Sequence, residues 1–486
     1  MNKDIINQSF KDLFDDFAEL EYIAFSYLDY LKNTVKKINK NKDVFPKKSC
    51  TTILSFQNEW IIRLNRFLKE INRLKKLSFD KPSDLKFLIK LEHAKDENYY
   101  FLRSFPGIIG SLITACDWQS PSANYSLFSE AGSQTGRIWA TINDYKRDWH
   151  LDAEKFEKVY LKEYIEAPLK FRLRALMTNS GMAAFTTIFN FLQMTQKIRN
   201  PVLLGKNSYF QYKQILIESL REKVTEINES DTEQIISTIK KIRPSVIFID
   251  SLCNAKYIPV PDLPRIIDFL KKEYKQEIYL VIDNTGLSIN FQPFKLLGLN
   301  RNVHLIVFES LMKYIHLGLD RVTGGIIIAS QSDGGKLFEC RKHLGTNISD
   351  SSVYAFPIPS RIILNKRLLR HKRNVLLLTF ELQKHLKVIY PGQGSFFNLV
   401  FNKRNDNPRQ YNRFIKTALQ KAKKYNFQLV GGTSFGLNHT RIYLTSLWSK
   451  YGEPFLRISA GTEDLRQMEI LKKILIETVI SLRLSF

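Results

Sequence analysis

Cysteine is scarce in this chain, and none of the four residues Cys50, Cys116, Cys253 and Cys340 lies near another. That spacing excludes a CxxC zinc site and a disulfide framework, and it points to a reducing, cytoplasmic setting. Long apolar runs are also missing: no stretch reaches the ~20 residues a membrane-crossing helix needs. The start, Met1-Asn-Lys-Asp-Ile-Ile, lacks the basic-then-apolar pattern of a secretory signal. No membrane partner is expected. Acidic residues are in deficit, with 48 Asp and Glu against 73 Lys and Arg, a net charge of +25. Such a balance attracts nucleic acid or anionic surfaces. Yet the basic clusters at 32–48, 361–373 and 401–424 match no nucleic-acid module and do not interleave with aromatic stacking residues. They read as solvated faces, and nucleic acid is not expected as a partner.

Apolar and aromatic residues are plentiful by contrast. The 486 residues are 44% hydrophobic, with 34 Phe and 21 Tyr, enough for a large core and two or three domains. Residues 1–130 read as a helical extension. Phe10, Leu13, Phe14, Phe17, Leu20 and Ile23 share one helix face, and Ile61, Leu64, Phe67, Leu68, Ile71 and Leu74 repeat the pattern. Pro46 and the Asp-Lys-Pro at 80–82 supply breaks. A small-residue stretch at 117–137 reads as a linker or an active-site loop.

From about 165 the texture changes. Short apolar runs at 173–178, 201–205, 245–250, 278–283, 304–308 and 324–329 alternate with helical patterns. That alternation predicts an α/β region with a mostly parallel sheet, assigned to 131–344. Residues 345–486 open with a long basic helix and mix strands with helices, as a smaller α+β domain would.

In an open α/β sheet, ligand groups gather beyond the carboxyl ends of the strands. After 173–178 comes Asn179-Ser180-Gly181-Met182, a small-residue turn leading into a helix, in outline a phosphate cradle. The run at 245–250 ends on Asp250, with Asn254 beyond, and that at 278–283 ends on Asp283-Asn284-Thr285. The run at 304–308 leads into Glu309-Ser310-Leu311-Met312-Lys313. Each feature has a bland reading, since strand-end acids often cap helices and lone lysines are usually solvated. Together they supply an anion site, a carboxylate and a lysine in chain order, the set that pyridoxal 5′-phosphate (PLP) requires.

These segments resemble the cystathionine γ-synthase/γ-lyase family, fold-type-I PLP enzymes of cysteine and methionine metabolism. Ser180-Gly181-Met182-Ala183-Ala184 matches the family's phosphate motif, and Asp250-Ser251-Leu252-Cys253-Asn254 is similar to its ESPxN segment. Val281-Ile282-Asp283-Asn284-Thr285 matches VDNT, and Ser310-Leu311-Met312-Lys313-Tyr314 resembles SATKY. Leu456 to Asp464 is similar to the RLSVGxED motif.

The resemblance implies an aminotransferase-like fold and a set of roles. Lys313 would carry PLP covalently, and Asp283 would partner the pyridine nitrogen. Ser180, Gly181, Met182 and Ser310 would hold the phosphate, and Asn254 the ring hydroxyl. Arg457 would clamp the substrate carboxylate, a bidentate task suited to guanidinium. Tyr209 occupies the place of the ring-stacking tyrosine that assists proton transfer. Tyr145 and Arg147 match a pair that reaches the neighbouring subunit's phosphate, which implies a homodimer or homotetramer. Ser434 is read as a second substrate contact.

The chain departs from the pattern at Met312, where the family has threonine, and at Phe210-Gln211, where it has two glycines. Leu252 replaces the ESPxN proline, and His316-Leu317-Gly318-Leu319 replaces a Gly-Gly-His-Ser stretch. The expected activity is γ- or β-elimination or replacement on a substituted homoserine- or cysteine-like amino acid, with the choice open. The alternative is a catalytically inactive binding or regulatory protein on the same fold. The N-terminal helices are expected to cover or lengthen a subunit interface, or else to dock a partner.

Overall fold

The computed structural model describes residues 2–40, 47–80, 84–114, 151–445 and 453–484. Tyr145, Arg147, Pro46 and the 117–137 stretch lie outside them. Two sheets and a helical layer account for the described chain.

The larger sheet has seven strands: β1 (Leu173–Thr178), β2 (Val202–Gly205), β3 (Val224–Ile227), β4 (Val246–Asp250), β5 (Ile278–Asp283), β6 (Val303–Ser310) and β7 (Gly325–Ser330). Their order is β1-β7-β6-β5-β4-β2-β3. Only β7 runs against the rest, pairing antiparallel with β1 and β6. The expected mostly parallel sheet is therefore present. β4 and β5 are near-continuous runs of Val, Ile, Leu and Phe because helices cover both faces. Parallel register places Asp250 opposite Asp283 at adjacent carboxyl ends.

The smaller sheet has the order β10-β11-β12-β9-β8. Here β8 is Lys387–Ile389, β9 is Phe396–Val400, β10 is Val430–Gly431, β11 is Arg441–Thr445 and β12 is Phe455–Ser459. Arg457 sits on the middle strand between Asn398 and Tyr443. Asn398 Nδ2 in turn donates to the carbonyls of Ala255 and Lys256 at 2.8 and 3.0 Å, tying this sheet to the loop after β4.

Four helices form the N-terminal layer: α1 (Lys3–Lys40), α2 (Lys47–Asp80), α3 (Leu85–Arg103) and α4 (Phe105–Thr114). Of the two predicted apolar stripes, Phe14 and Ile61 are half-buried and the others fully buried. The stripes face each other in one core, as amphipathic helices of this length require. That core also takes in Leu317 and Leu319, from the segment just after Lys313. No helix of the described residues is long and apolar enough to cross a membrane.

Candidate active site

One cavity of about 270 Å³ opens at the carboxyl ends of β4, β5 and β6 and is closed on its far side by the smaller sheet. Ser180, Gly181, Met182, Tyr209, Asn254, Asp283, Ser310, Lys313, Ser434 and Arg457 all line it. These are all the site residues expected from sequence that fall within the described chain; Tyr145 and Arg147 lie outside it.

The cradle is built as its sequence suggests. Ser180 caps the helix Gly181–Met194, its Oγ accepting from Ala183 N at 3.0 Å. A side chain at position 181 would meet Ser310 Cβ at 2.9 Å, so only glycine lets the helix start approach the end of β6. Free N–H groups and the positive helix end then face the cavity, where an anion is favoured.

Asp283 is not spent on capping. Its carboxylate accepts from Thr285 N at 2.9 Å, while Thr285 Oγ1 accepts from Ser310 N at 2.9 Å. Burial raises its pKa, and the Thr285 hydrogen bonds draw it back. Asp250, its neighbour in register, accepts from Tyr209 N at 3.0 Å and from the Tyr212 hydroxyl. Burial, then the adjacent Asp283, push Asp250 well above the usual carboxylate range. It holds the start of the helix Phe210–Leu220, and with it the Tyr209 ring. Tyr209 donates its hydroxyl to Gln211 Oε1 at 2.8 Å.

Lys313 Nζ donates to Ser434 Oγ at 2.9 Å. Burial, then the charge of Arg457, lower its pKa to about 8, so about a tenth of the amine is neutral at pH 7, where an ordinary lysine is almost wholly charged. Arg457 Nη1 donates to Asn254 Oδ1 at 2.7 Å and Nη2 to Ser434 O at 3.4 Å, while its buried Nε finds no acceptor. Phe396 and Phe435 flank the guanidinium, 5.4 and 5.9 Å from ring centre. Burial lowers its pKa to about 10. Ser434 itself sits at φ +80°, a strained value for serine.

Sequence reasoning missed Tyr212, Thr285, Thr433 and Phe435, which also line the cavity. Thr285 stood within a motif already read, and Phe435 one place beyond Ser434. Tyr212 carried no local signal beyond an aromatic one helical turn after Tyr209.

Residues 133–424 match the family described as Cys/Met metabolism PLP-dependent enzymes. The chain belongs to this family. PLP is therefore its cofactor, and its fold is type I of the PLP enzymes. The cavity fits such a group: an anion cradle where no Cβ could intrude, a buried carboxylate, a desolvated lysine, and a guanidinium with an unmet donor.

Among solved structures, cystathionine γ-lyase from Lactobacillus plantarum, complexed with L-serine, aligns with a TM-score of 0.58 at 16% identity over 73% of this chain and 93% of its own. Cystathionine γ-synthase from Xanthomonas oryzae pv. oryzae, in complex with cystathionine, gives 0.57 at 16% over 75% and 100%. The metB structure from Corynebacterium glutamicum gives 0.56 at 19% over 77% and 98%. At such identities these carry the fold alone. A curated relative, the bifunctional enzyme flvA of Aspergillus flavus, is 25% identical over 306 residues, 60% of this chain. The match spans only 37% of that relative's length.

Proposed function

We propose that the chain catalyses γ- or β-elimination or replacement on a substituted homoserine- or cysteine-like amino acid, with Lys313 as both cofactor anchor and proton carrier. The observation that carries this reading is the Lys313 amine, buried and lowered to about 8, in one cavity with Asp283 and Arg457.

When bound, PLP withdraws electrons from the substrate Cα and so acidifies its hydrogen. The cradle of Ser180, Gly181, Met182 and Ser310 would take the phosphate. Asp283 would keep a proton on the ring nitrogen, its buried charge favouring that partner. Tyr209 would stack on the ring, held there through Asp250. Asn254 gives its carbonyl oxygen to Arg457, and its amide nitrogen is assigned to the ring hydroxyl.

Arg457 holds the substrate carboxylate; an incoming carboxylate would satisfy the guanidinium nitrogen left without an acceptor. Lys313, in its neutral form, removes the Cα proton. Loss of a β-substituent needs only that step. Loss of a γ-substituent needs a second proton removal, at Cβ, for which the same amine would serve once it had handed the first proton on to the bound substrate and cofactor. Ser434, hydrogen-bonded to Nζ, sets the direction of the amine. Phe210, Gln211 and Met312 differ from the family pattern beside the cavity, which supports a substrate side chain unlike the usual one.

The test is a visible spectrum before and after borohydride reduction, followed by peptide mapping and an amino-acid screen for keto-acid release. The expected result is a yellow band that reduction fixes as a phosphopyridoxyl group on Lys313, with turnover of a β- or γ-substituted amino acid. A protein that takes up no PLP, or that carries it on another lysine, would overturn the assignment.

A further inference from the structure

The N-terminal helices reach the active site from behind. The Lys313 amine rests on Ser434, and the loops carrying these two residues, 313–320 and 433–438, lie against each other. A side chain at Gly436, which adopts φ +76°, would strike Lys313 O at 2.5 Å. The helical layer grips the first loop directly and reaches the second through Arg367 of the helix Arg361–Leu382. Arg367, its side chain fully buried, donates through Nη2 to Gly436 O at 3.0 Å and Asn438 Oδ1 at 2.6 Å. Through Nη1 it donates to Glu19 of α1 at 2.7 Å. Tyr99 of α3 donates to Leu317 O and, at 3.2 Å, to Glu19. Arg103 Nε donates to Leu319 O at 2.9 Å. Leu317 and Leu319 themselves are buried in the helical core. These leucines stand within the His316–Leu319 stretch that departs from the family pattern.

We propose that Glu19 and Arg367 are positioning residues for Lys313, and that the N-terminal helical layer is a structural part of the active site. The ion pair fixes the back of the Ser434 loop, Tyr99 and Arg103 fix the loop after Lys313, and together they set where the amine points. A contact made this way survives only if the helices stay docked, so cofactor environment and helix docking are coupled. The inference rests on the assignment of Lys313 as cofactor anchor.

The experiment compares full-length holoenzyme with Glu19→Gln, Tyr99→Phe and the control Asp15→Asn, whose exposed partner on the neighbouring helix is Lys366. The readout is the pH at which the visible band of the bound cofactor titrates, alongside thermal stability. The other charges acting on Lys313, namely Arg457, Asp320, Asp283 and Arg441, are untouched by these variants. Neutralising Glu19 leaves the Arg367 charge uncompensated behind Lys313, which disfavours protonation there. The midpoint should fall by about 0.5 unit, about a threefold change in the protonation ratio at fixed pH. Tyr99→Phe should move it in a variant that keeps every charge, and Asp15→Asn should leave it in place. Glu19→Gln and Tyr99→Phe proteins that melt earlier but titrate like the wild type would reduce the contacts to packing and overturn the proposal. Borohydride mapping of each variant separates this outcome from a wrong anchor: label found on a different lysine would defeat the assignment of Lys313 itself.

Discussion

Buried charge is handled in two opposite ways in this molecule. Where α1 and α3 meet the helices Arg361–Leu382 and Leu465–Ser481, opposite charges meet directly. Asp12 accepts two hydrogen bonds from Arg373 Nη1 at 2.7 Å, pairs with Arg370 at 3.1 Å, and accepts from Leu465 N at 2.9 Å. Glu19 pairs with Arg367, and Glu92 with Arg466. In the cavity, Arg457 is as deeply buried and Lys313 is partly so, yet the partners they hold are neutral: Ser434 and Asn254. Asp283 likewise rests on a backbone amide. Removing a charge from water costs several kcal/mol unless an opposite charge offsets it. The first region offsets that cost internally. The second leaves it for ligands of opposite charge or complementary proton state, which is what a site awaiting a phosphate, a ring nitrogen and a carboxylate should do.

This contrast can be broken most decisively at Lys313. Lys313→Ala should lower turnover at least about 10³-fold while leaving folding intact, because it removes the anchor and proton carrier together but no internal ion pair. Steady-state assays and far-UV circular dichroism check both halves. Undiminished activity would place the chemistry elsewhere. The mirror-image change is Asp12→Asn, which removes the carboxylate shared by Arg370 and Arg373 and leaves Arg370 only its longer contacts to Asp15 and Asp16. It should cost about 3 kcal/mol in denaturant unfolding and leave kcat almost unchanged. A spectral change in that variant without loss of stability would erase the distinction between the two regions.

The same contrast marks what was legible beforehand. The strand-end residues Asp283, Ser310 and Lys313 could be read because each follows an apolar run, and parallel strands bring consecutive ends together. Arg457 could be read only through its motif, since a strand arginine surrounded by apolar residues gives no local sign of the cavity it faces. The Glu19–Arg367 pair lies 348 residues apart in sequence and left no trace. Periodicity identified α1 as amphipathic but gave no sign that its acids Asp12 and Glu19 meet buried arginines. Leu317 and Leu319 stood out as departures from a pattern, and their reason became visible only with the helical core beside them. The role of Asp250 was obscured by a commoner one, because strand-end acids usually cap the next helix, whereas this one holds Tyr209 and Tyr212.

Arg457→Lys sharpens the comparison on a smaller scale. A lysine keeps the charge but loses the planar fork that reaches Asn254 and Ser434 while leaving a nitrogen open. It should reduce kcat/KM about tenfold, chiefly through KM, with stability equal to or above the wild type, since no internal ion pair is lost. A large loss of stability instead would mean that Arg457 belongs with the paired charges of the helical interface.

The smallest effect tests the cost of the unpaired amine itself. In the apoenzyme the Lys313 pKa lies near 8 folded against an ordinary 10.5 unfolded. Between these values the unfolded chain binds the extra proton and the folded chain does not, so stability rises with pH through this window. Its contribution is full above 10.5 and is lost as pH falls through about 8. From pH 8 to 9 the gain should be about 1 kcal/mol, readable as the difference between apo wild type and Lys313→Met in urea unfolding. Other titrating groups cancel in that difference. Parallel stability curves for the two proteins would mean that the amine finds a counter-charge, and the cavity would then no longer stand apart from the paired interface behind it.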